Sequence, residues 1–173
     1  MILVLGGGAS GKSEYAEELT LSLGFEHNYY IAAMEIDGEE AASRVARHKS
    51  SRKDKGFITI EQPRDVSKAV SQMVKPSESA AILECISNLT ANEMFGSEPP
   101  GCDEVSEKVI ADVLELDAAL GGLIVVSNNV FEDGVTYDEI TENYIKCMAD
   151  INLRLSKKAD AIYEVVLGIP LRL

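Results

Sequence analysis

The glycine-rich segment GGGASGKS, residues 6–13, constrains the fold of this chain more than any other stretch of its sequence. It follows the apolar run of residues 2–5, which is typical of a buried strand, and it opens a segment with helical spacing. In that context the pattern GxxxxGK[ST] predicts a loop that binds phosphate through its backbone N–H groups and the following helix N-terminus. A glycine-rich turn with an incidental Lys-Ser pair is the alternative, and the flanking strand and helix disfavour it.

The residues of this loop have separate expected roles. The loop consists of Gly6, Gly7, Gly8, Ala9, Ser10, Gly11, Lys12 and Ser13. The glycines let successive N–H groups point at phosphate oxygens. Lys12 is expected to bridge the β- and γ-phosphates, and the Ser13 hydroxyl is expected to bind Mg²⁺. The sequence therefore predicts a nucleoside triphosphate, GTP or ATP, together with Mg²⁺.

Apolar runs alternate with segments of helical spacing along the whole chain. Strands are predicted at residues 2–5, 29–33, 57–60, 80–83, 123–126 and 161–167, and helices at 12–23, 39–52, 65–74, 104–120 and 137–158. This alternation predicts an α/β fold with a mostly parallel sheet and helices on both faces. A length of 173 residues fits one domain, spanning residues 1–173. Gly24 and Gly121 are predicted to end helices in the left-handed conformation.

The charge and cysteine content exclude several classes of protein. A formal net charge of -13 argues against a general nucleic-acid or membrane-surface binder. Neither a leader sequence nor an apolar run of ~18 residues is present, so a cytoplasmic protein without membrane insertion is expected. The cysteines, Cys85, Cys102 and Cys147, have no metal-ligand spacing and are expected to be free thiols.

Glu84 is a second candidate site residue because it directly follows the apolar run of residues 80–83. Open α/β sheets assemble their ligand sites at the carboxyl ends of parallel strands. A carboxylate there is expected to order Mg²⁺ and its water, or to accept a proton from a substrate hydroxyl. An ordinary glutamate in solvent at the end of a strand is the alternative.

A basic segment at residues 44–55, RVARHKSSRKDK, contrasts with the acidic remainder of the chain. It holds six of the sixteen Lys and Arg residues and has a local charge of +5, which leaves -18 elsewhere. The predicted helix places Arg44, His48 and Arg52 on one face. A neutral imidazole in such a stripe can attack a phosphorus atom while the cations neutralise phosphate charge. A solvated helix face with a chance histidine is the alternative, and composition alone favours it.

Several motifs together resemble one known family, the bifunctional adenosylcobinamide kinase/adenosylcobinamide-phosphate guanylyltransferases of cobalamin biosynthesis. The motifs are MILVLGGGASGKS, YYIAA, RVARHKSSR, the T-I-E at Thr59 to Glu61, LEC at Leu83 to Cys85 with Asn92 and Phe95 after it, VSN at Val126 to Asn128, and GIPLRL. The resemblance runs over nearly the whole chain. It implies a RecA-like, three-layer P-loop fold and a symmetric homo-oligomer, such as a trimer.

The resemblance also implies two successive reactions. An NTP first phosphorylates the hydroxyl of the aminopropanol arm of adenosylcobinamide. GTP then donates GMP to that phosphate through a guanylyl-histidine, which gives adenosylcobinamide-GDP and pyrophosphate. His48 occupies the position of the family's nucleophile, between Arg44 and Arg52. The positions implied to contact GTP are Ala33, Met34, Glu35, residues 50–53, Glu61 and Glu84. In-line attack requires the basic helix to fold over the P-loop, so residues 38–56 are expected to be mobile without nucleotide.

The chain departs from the family at several positions. Ala9 stands where the family usually has Arg, so the phosphate cradle lacks one cation. Asn129 replaces a glutamate after the VSN motif, and Ile145 with Lys146 replaces an Arg-Asp pair, while Asn152 persists. These departures concern the kinase step and the corrinoid-facing side. Two other hypotheses therefore remain: a kinase of another small alcohol, in which His48 only binds phosphate, and a non-catalytic GTP-binding regulatory module.

Overall fold

Seven strands form one sheet in the computed structural model, which describes residues 1–35, 55–95, 100–129, 135 and 137–173. The strands are β1 (Ile2–Leu5), β2 (His27–Ala32), β3 (Phe57–Glu61), β4 (Ser79–Glu84), β5 (Gly122–Val126), β6 (Ala161–Val166) and β7 (Ile169–Arg172). Their order across the sheet is β3-β2-β4-β5-β1-β6-β7. Neighbouring strands are parallel except β6 and β7, which form an antiparallel hairpin.

Four α-helices and two short 3-10 helices connect these strands in the described ranges. The α-helices are α1 (Lys12–Ser22), α2 (Ile86–Met94), α3 (Cys102–Ala119) and α4 (Glu139–Ser156). The 3-10 helices are Val66–Gln72 and Pro76–Glu78. None of the described helices combines the length and the apolar character that crossing a bilayer requires.

The two faces of the sheet carry separate hydrophobic clusters. Successive strand side chains point to opposite faces, so Leu3 packs among side chains from α2, α3 and α4, whereas Val4 packs with Ala16 of α1. Tyr29 and Tyr30 divide in the same way between the two clusters. The expected arrangement of a mostly parallel sheet between helices on both faces is therefore confirmed.

Most predicted elements in the described ranges are present with shifted ends, but three elements differ from the prediction. Residues 66–72 form a 3-10 helix within the predicted helix 65–74, and the Asp65 side chain before it pairs with Lys68 and Lys108. α2 was not predicted, because ISNLTANEM is short and rich in residues of modest helix propensity. β7 is a strand of its own, since the chain turns at Leu167 and Gly168 with positive φ.

The two glycines predicted as helix caps have different reasons for being glycine. Gly24 follows α1 with φ of +74°, so its left-handed conformation is confirmed. Gly121 does not have a positive φ, and that prediction was wrong. A Cβ at Gly121 would overlap the ring of Phe25 and lie 2.7 Å from the carbonyl oxygen of Ser77. Close packing, not backbone conformation, therefore requires glycine there.

Candidate functional site

The carboxyl ends of the parallel strands bring the predicted site residues to one edge of the sheet. In the strand register Glu84 lies opposite Ala32 on one side and Val126 on the other. Glu61 lies opposite Ala32 from β3. The P-loop follows Leu5, at the same edge of β1. Neighbouring strands are about 4.8 Å apart, so Glu61 lies about 10 Å from Glu84 along this edge.

The P-loop runs from β1 into α1 and folds back over its own lysine. Lys12 is 9% exposed, and its ammonium donates a 2.9 Å hydrogen bond to the carbonyl oxygen of Gly7. Ala9 and Gly11 have φ of +56° and +91°, which places both in the left-handed region. Such a run of alternating backbone conformations is typical of loops whose N–H groups converge on an anion.

The β6–β7 hairpin supports the P-loop from the side. The Gly168 N–H donates a 2.8 Å hydrogen bond to the carbonyl oxygen of Ser10. A Cβ at Gly11 would lie 3.1 Å from the Gly168 Cα, and one at Gly6 would lie 2.7 Å from the carbonyl oxygen of Val165. The two glycines thus permit a close approach between the loop and the hairpin.

The Glu84 carboxylate accepts a hydrogen bond on each oxygen. The Ser13 hydroxyl donates to one oxygen at 2.5 Å, and the Tyr30 hydroxyl donates to the other at 2.6 Å. Ser13 begins α1 and Tyr30 lies in β2, so three separate elements meet at this carboxylate. A hydroxyl and a carboxylate held side by side provide the oxygen donors that Mg²⁺ prefers, and they therefore fit such an ion.

A cavity of about 410 Å³ opens beside the P-loop. Its lining residues are Ala9, Ser10, Gly11, Lys12, Ser13, Glu14, Glu17 and Lys55. The Lys55 ammonium lies 2.6 Å from a carboxylate oxygen of the buried Glu17. The hydrogen bond to Glu17, together with the nearby carboxylates of Glu14 and Glu18, raises the pKa of Lys55 above its usual value, so Lys55 is a cation at neutral pH.

The predicted positions after β2 lie beside Glu84. Ala33 is buried, and its N–H donates a 2.9 Å hydrogen bond to the carbonyl oxygen of Glu84. The Asn92 side chain donates to the carbonyl oxygen of Ala33 at 2.7 Å. Met34 is half-buried, and Glu35 is exposed and pairs with Arg64 at 3.0 Å. The backbone at Ala33 is therefore fixed from two sides, whereas Glu35 faces solvent.

A network of neutral polar groups fixes the loop after β5. The buried Asn152 of α4 accepts a 2.7 Å hydrogen bond from Ser127 and donates one of 3.2 Å to the carbonyl oxygen of Asn128. The Asn128 side chain donates to the Ser87 hydroxyl at 2.7 Å. Tyr144 donates to the carbonyl oxygen of Ser87 at 3.1 Å. These bonds connect the VSN motif to α2 and α4.

Asn129 lies next to a carboxylate that comes from another strand. Its side-chain amide donates a 2.6 Å hydrogen bond to Glu164 of β6. Glu164 lies opposite Leu5 in the strand register, so its carboxylate is at the same edge as the P-loop. Position 129 itself has no carboxylate, but Glu164 provides one at this part of the site.

One family profile, described as cobinamide kinase / cobinamide phosphate guanyltransferase, matches residues 2–173 of this chain. The chain belongs to this family. It is 29% identical over 183 residues to the bifunctional adenosylcobalamin biosynthesis protein CobU of Salmonella typhimurium, covering 100% of this chain and 99% of that protein. It is 25% identical to the corresponding protein CobP of Pseudomonas aeruginosa, over 99% of this chain and 95% of that protein.

The fold of this cobinamide kinase/guanyltransferase chain is also that of solved nucleotide-binding domains. A solved ATPase domain matches with a TM-score of 0.53 and 11% identity, covering 94% of this chain and 68% of that chain. At such low identity the likeness concerns the fold alone. It confirms the expected RecA-like, P-loop α/β architecture.

Part of the family's expected site lies outside the described residues. Arg44, His48, Arg52, residues 50–53 and the predicted helix 39–52 all fall within residues 36–54. The expected mobility concerns residues 38–56, of which residues 38–54 also lie outside the described part. Of the other candidate positions, the P-loop, Ala33 and Glu84 lie together. Glu35 and Glu61 are exposed, and Glu35 pairs with Arg64 instead.

Four residues at this candidate site were not predicted: Glu17, Tyr30, Lys55 and Glu164. Two signals were available. Adjacent strand residues face opposite sides, so one of Tyr29 and Tyr30 had to point toward the P-loop helix. An acidic residue at position 17 lies in the α1 face that packs on the sheet, where a carboxylate needs a cationic partner. Lys55 ends the basic segment of residues 44–55, whose charge was noted, but nothing local indicated its partner, and Glu164 gave no comparable signal.

Proposed function

We propose that this chain phosphorylates adenosylcobinamide and then transfers GMP from GTP to the resulting phosphate. The observation that carries the proposal is the meeting of the P-loop serine, Ser13, with the strand-end carboxylate Glu84. It lies within a chain whose whole length matches the family of these two activities. A triphosphate in the loop would have its β- and γ-phosphates against Lys12, which is poised beside Gly7.

Ser13 and Glu84 are the residues that would hold Mg²⁺. When bound, the ion neutralises charge on the phosphate oxygens. Tyr30 fixes the orientation of the Glu84 carboxylate through its hydrogen bond. In the kinase step we expect this carboxylate to accept the proton of the substrate hydroxyl as that oxygen attacks the γ-phosphorus. The bond from that phosphorus to the oxygen bridging to the β-phosphate breaks, and the nucleoside diphosphate leaves.

His48 is the proposed nucleophile of the guanylyl step. Its imidazole nitrogen attacks the α-phosphorus of GTP, and the bond from that phosphorus to the oxygen bridging to the β-phosphate breaks, which releases pyrophosphate. A phosphate oxygen of adenosylcobinamide phosphate then attacks the same phosphorus. The P–N bond breaks, the histidine is regenerated, and adenosylcobinamide-GDP leaves. Arg44 and Arg52 are proposed to neutralise the phosphate charge.

The experiment is to incubate the protein with GTP labelled at the α-phosphate, denature it and measure covalent label. We expect an acid-labile label that is absent from His48→Ala. His27→Ala is the matched control, because His27 starts β2 at the opposite edge of the sheet and should leave labelling unchanged.

Other labelling outcomes would favour the remaining hypotheses. Transfer of label only from the γ-position to an alcohol would indicate a kinase in which His48 merely binds phosphate. Binding of GTP without movement of either label would indicate a regulatory module. Equal labelling of wild type and His48→Ala would contradict the proposed nucleophile.

The proposal includes a symmetric homo-oligomer, such as a trimer, in the cytoplasm. Leu167, Ile169 and Leu173 of the β6–β7 hairpin are 91%, 62% and 70% exposed, which is unusual for large apolar side chains and supports association. Light scattering should give a mass three times the 18.7 kDa of one chain. A mass of one chain over a wide concentration range would contradict the trimer.

A further inference from the structure

The P-loop cavity has as many carboxylates as cations along its described wall, which is unexpected for a site that binds phosphate. Among the residues that the structure describes, the ionisable ones that line it are Lys12, Lys55, Glu14 and Glu17, so two cations face two carboxylates. A nucleoside triphosphate has several negative charges, and a cavity with no net positive charge repays little of the cost of removing them from water. The position of each cation therefore matters.

Lys55 is the cation that the P-loop motif does not account for. Lys12 is the cation that the motif itself supplies, and its hydrogen bond to Gly7 holds it beside the loop. Ala9, which sits in the loop with a left-handed backbone, has no charge to offer. Among the described cavity-lining residues, this leaves Lys55 as the second ammonium that can meet a phosphate oxygen.

The Glu17 carboxylate holds Lys55 at the wall of the cavity. Its side chain is 7% exposed, whereas the Lys55 side chain is 34% exposed and so can still be reached from the cavity. An ammonium has three N–H donors, and one of them suffices for Glu17. Anchoring the long lysine side chain before the ligand arrives reduces the entropy lost when it binds phosphate.

We propose that Lys55 is a phosphate-binding residue of the P-loop site and supplies the cation that position 9 lacks in this chain. This inference rests on the proposed function only in that the cavity binds a triphosphate. The ligand is the phosphate chain of GTP or ATP, and Glu17 acts as a positioning residue for the ammonium.

The test is the dissociation constant of GTP with Mg²⁺, measured by calorimetry for the wild type and Lys55→Met. We expect about tenfold weaker binding, the usual cost of losing one charge-assisted hydrogen bond. Guanosine, which lacks phosphates, should bind both proteins equally. Lys68→Met is the matched control, because Lys68 is an exposed lysine outside the cavity whose loss should not change GTP affinity.

A rescue variant separates the role of the charge from that of packing. Ala9→Arg in the Lys55→Met background should restore most of the lost affinity, because it returns a cation to the phosphate cradle from the other side. Should Lys55→Met fail to fold with Glu17 unpaired, Glu17→Gln/Lys55→Met removes both members of the buried pair, and it should show the same weakened binding.

Some outcomes would overturn the inference without touching the proposed function. If the wild type binds GTP and Lys55→Met, or the double variant, binds it equally well, Lys55 does not bind phosphate. If Lys55→Met weakens the binding of GTP and of guanosine equally, Lys55 has only a structural role. The same conclusion follows if Ala9→Arg does not restore GTP affinity. If the wild type itself does not bind GTP, the proposed function fails first.

Discussion

Two polar networks at the carboxyl edge of the sheet differ in charge. The network at the P-loop consists of ions and the hydroxyls bonded to them: Lys12, Ser13, Tyr30 and Glu84, with Glu17 and Lys55 beside them. The network after β5 is neutral and joins Ser127 and Asn128 to Asn152, Ser87 and Tyr144.

The difference indicates which bonds a ligand can replace. A phosphate or a metal ion can exchange with the charged partners of the first network, because it offers an ionic bond in return. The second network offers neutral amide and hydroxyl groups that satisfy one another, so it is suited to hold the loop in place. Substitutions should therefore affect activity in the first network and stability in the second.

The largest effect is expected for Lys12→Met. Loss of this ammonium removes the main cation of the loop, and we expect activity with GTP to fall by about 100- to 1,000-fold. The melting temperature should stay close to that of the wild type. Lys75→Met is the control, since Lys75 lies at the opposite edge before β4 and is 60% exposed. Full activity in Lys12→Met would contradict the conclusion that the charged network carries the activity.

The second-largest effect is expected for Asn152→Leu, which should lower the stability of the fold. This change leaves the buried Ser127 hydroxyl and the Asn128 carbonyl without their partner, which should lower the free energy of unfolding by about 2–3 kcal/mol. Denaturant titration measures it. Asn143→Leu, at an exposed position of the same helix, should cost much less. Loss of GTP binding without loss of stability would contradict the comparison.

Tyr30→Phe should lower kcat about tenfold and leave the KM for GTP nearly unchanged. The hydroxyl orients the Glu84 carboxylate, but it does not belong to the P-loop that binds the triphosphate. Steady-state kinetics measures kcat and KM separately. Tyr29→Phe is the matched control, because that hydroxyl accepts a hydrogen bond from the Val74 N–H on the other face of the sheet. Equal kinetic effects of both changes would argue for a structural role.

The smallest effect concerns acid stability and a third cluster, in which Lys108 lies among three carboxylates. Its ammonium is 2.7 Å from Asp65 and Glu93 and 3.2 Å from Asp112. These three carboxylates are close enough to hold a metal ion, but the Lys108 ammonium already lies among them and forms an ion pair with each. Hydrogen bonds from Lys108 and Lys68 lower the pKa of Asp65 to about 2.

Asp65 should therefore contribute stability above pH 4 that is lost as the pH falls toward 2. Its folded pKa lies below the unfolded value, so protonation favours the unfolded chain. Because its side chain is 41% exposed, screening reduces the contribution to about 1 kcal/mol. Asp65→Asn should be less stable than the wild type at pH 7, and the difference should shrink as the pH falls to 2 and vanish only below it. The neutral network has no acidic group, so the cost of Asn152→Leu should be the same at both values.

The sequence allowed the sheet and the phosphate loop to be predicted because their signals are local. Unbroken apolar runs predict buried parallel strands, and GGGASGKS with its flanking elements predicts the P-loop. The position of Glu84 followed from one rule, that ligand sites form at the carboxyl ends of parallel strands. The same rule explains why Glu84 forms a hydrogen bond with Ser13, 71 residues earlier in the chain.

The partners that were not predicted depend on long-range packing. Lys55 reaches Glu17 and Asn129 reaches Glu164 only because of the order of strands across the sheet. No spacing along the chain encodes these pairs. The structure shows where one of the departures from the family lies. Lys146 is exposed, and its ammonium is 3.9 Å from a carboxylate oxygen of Glu142. It takes no part in the hydrogen bonds of Asn152.

The bond between Gly168 and Ser10 has a consequence for how the phosphate site comes into being. The loop is translated early, but the hairpin that supports it is translated almost a whole chain later. Contacts between residues so distant in sequence form late in folding, because they must first close a long loop. A nascent or prematurely terminated chain would hold the GGGASGKS motif and still lack the support for its phosphate site. The hydrogen bond from Gly168 to Ser10 can therefore form only once the chain is complete as far as the turn before its last strand.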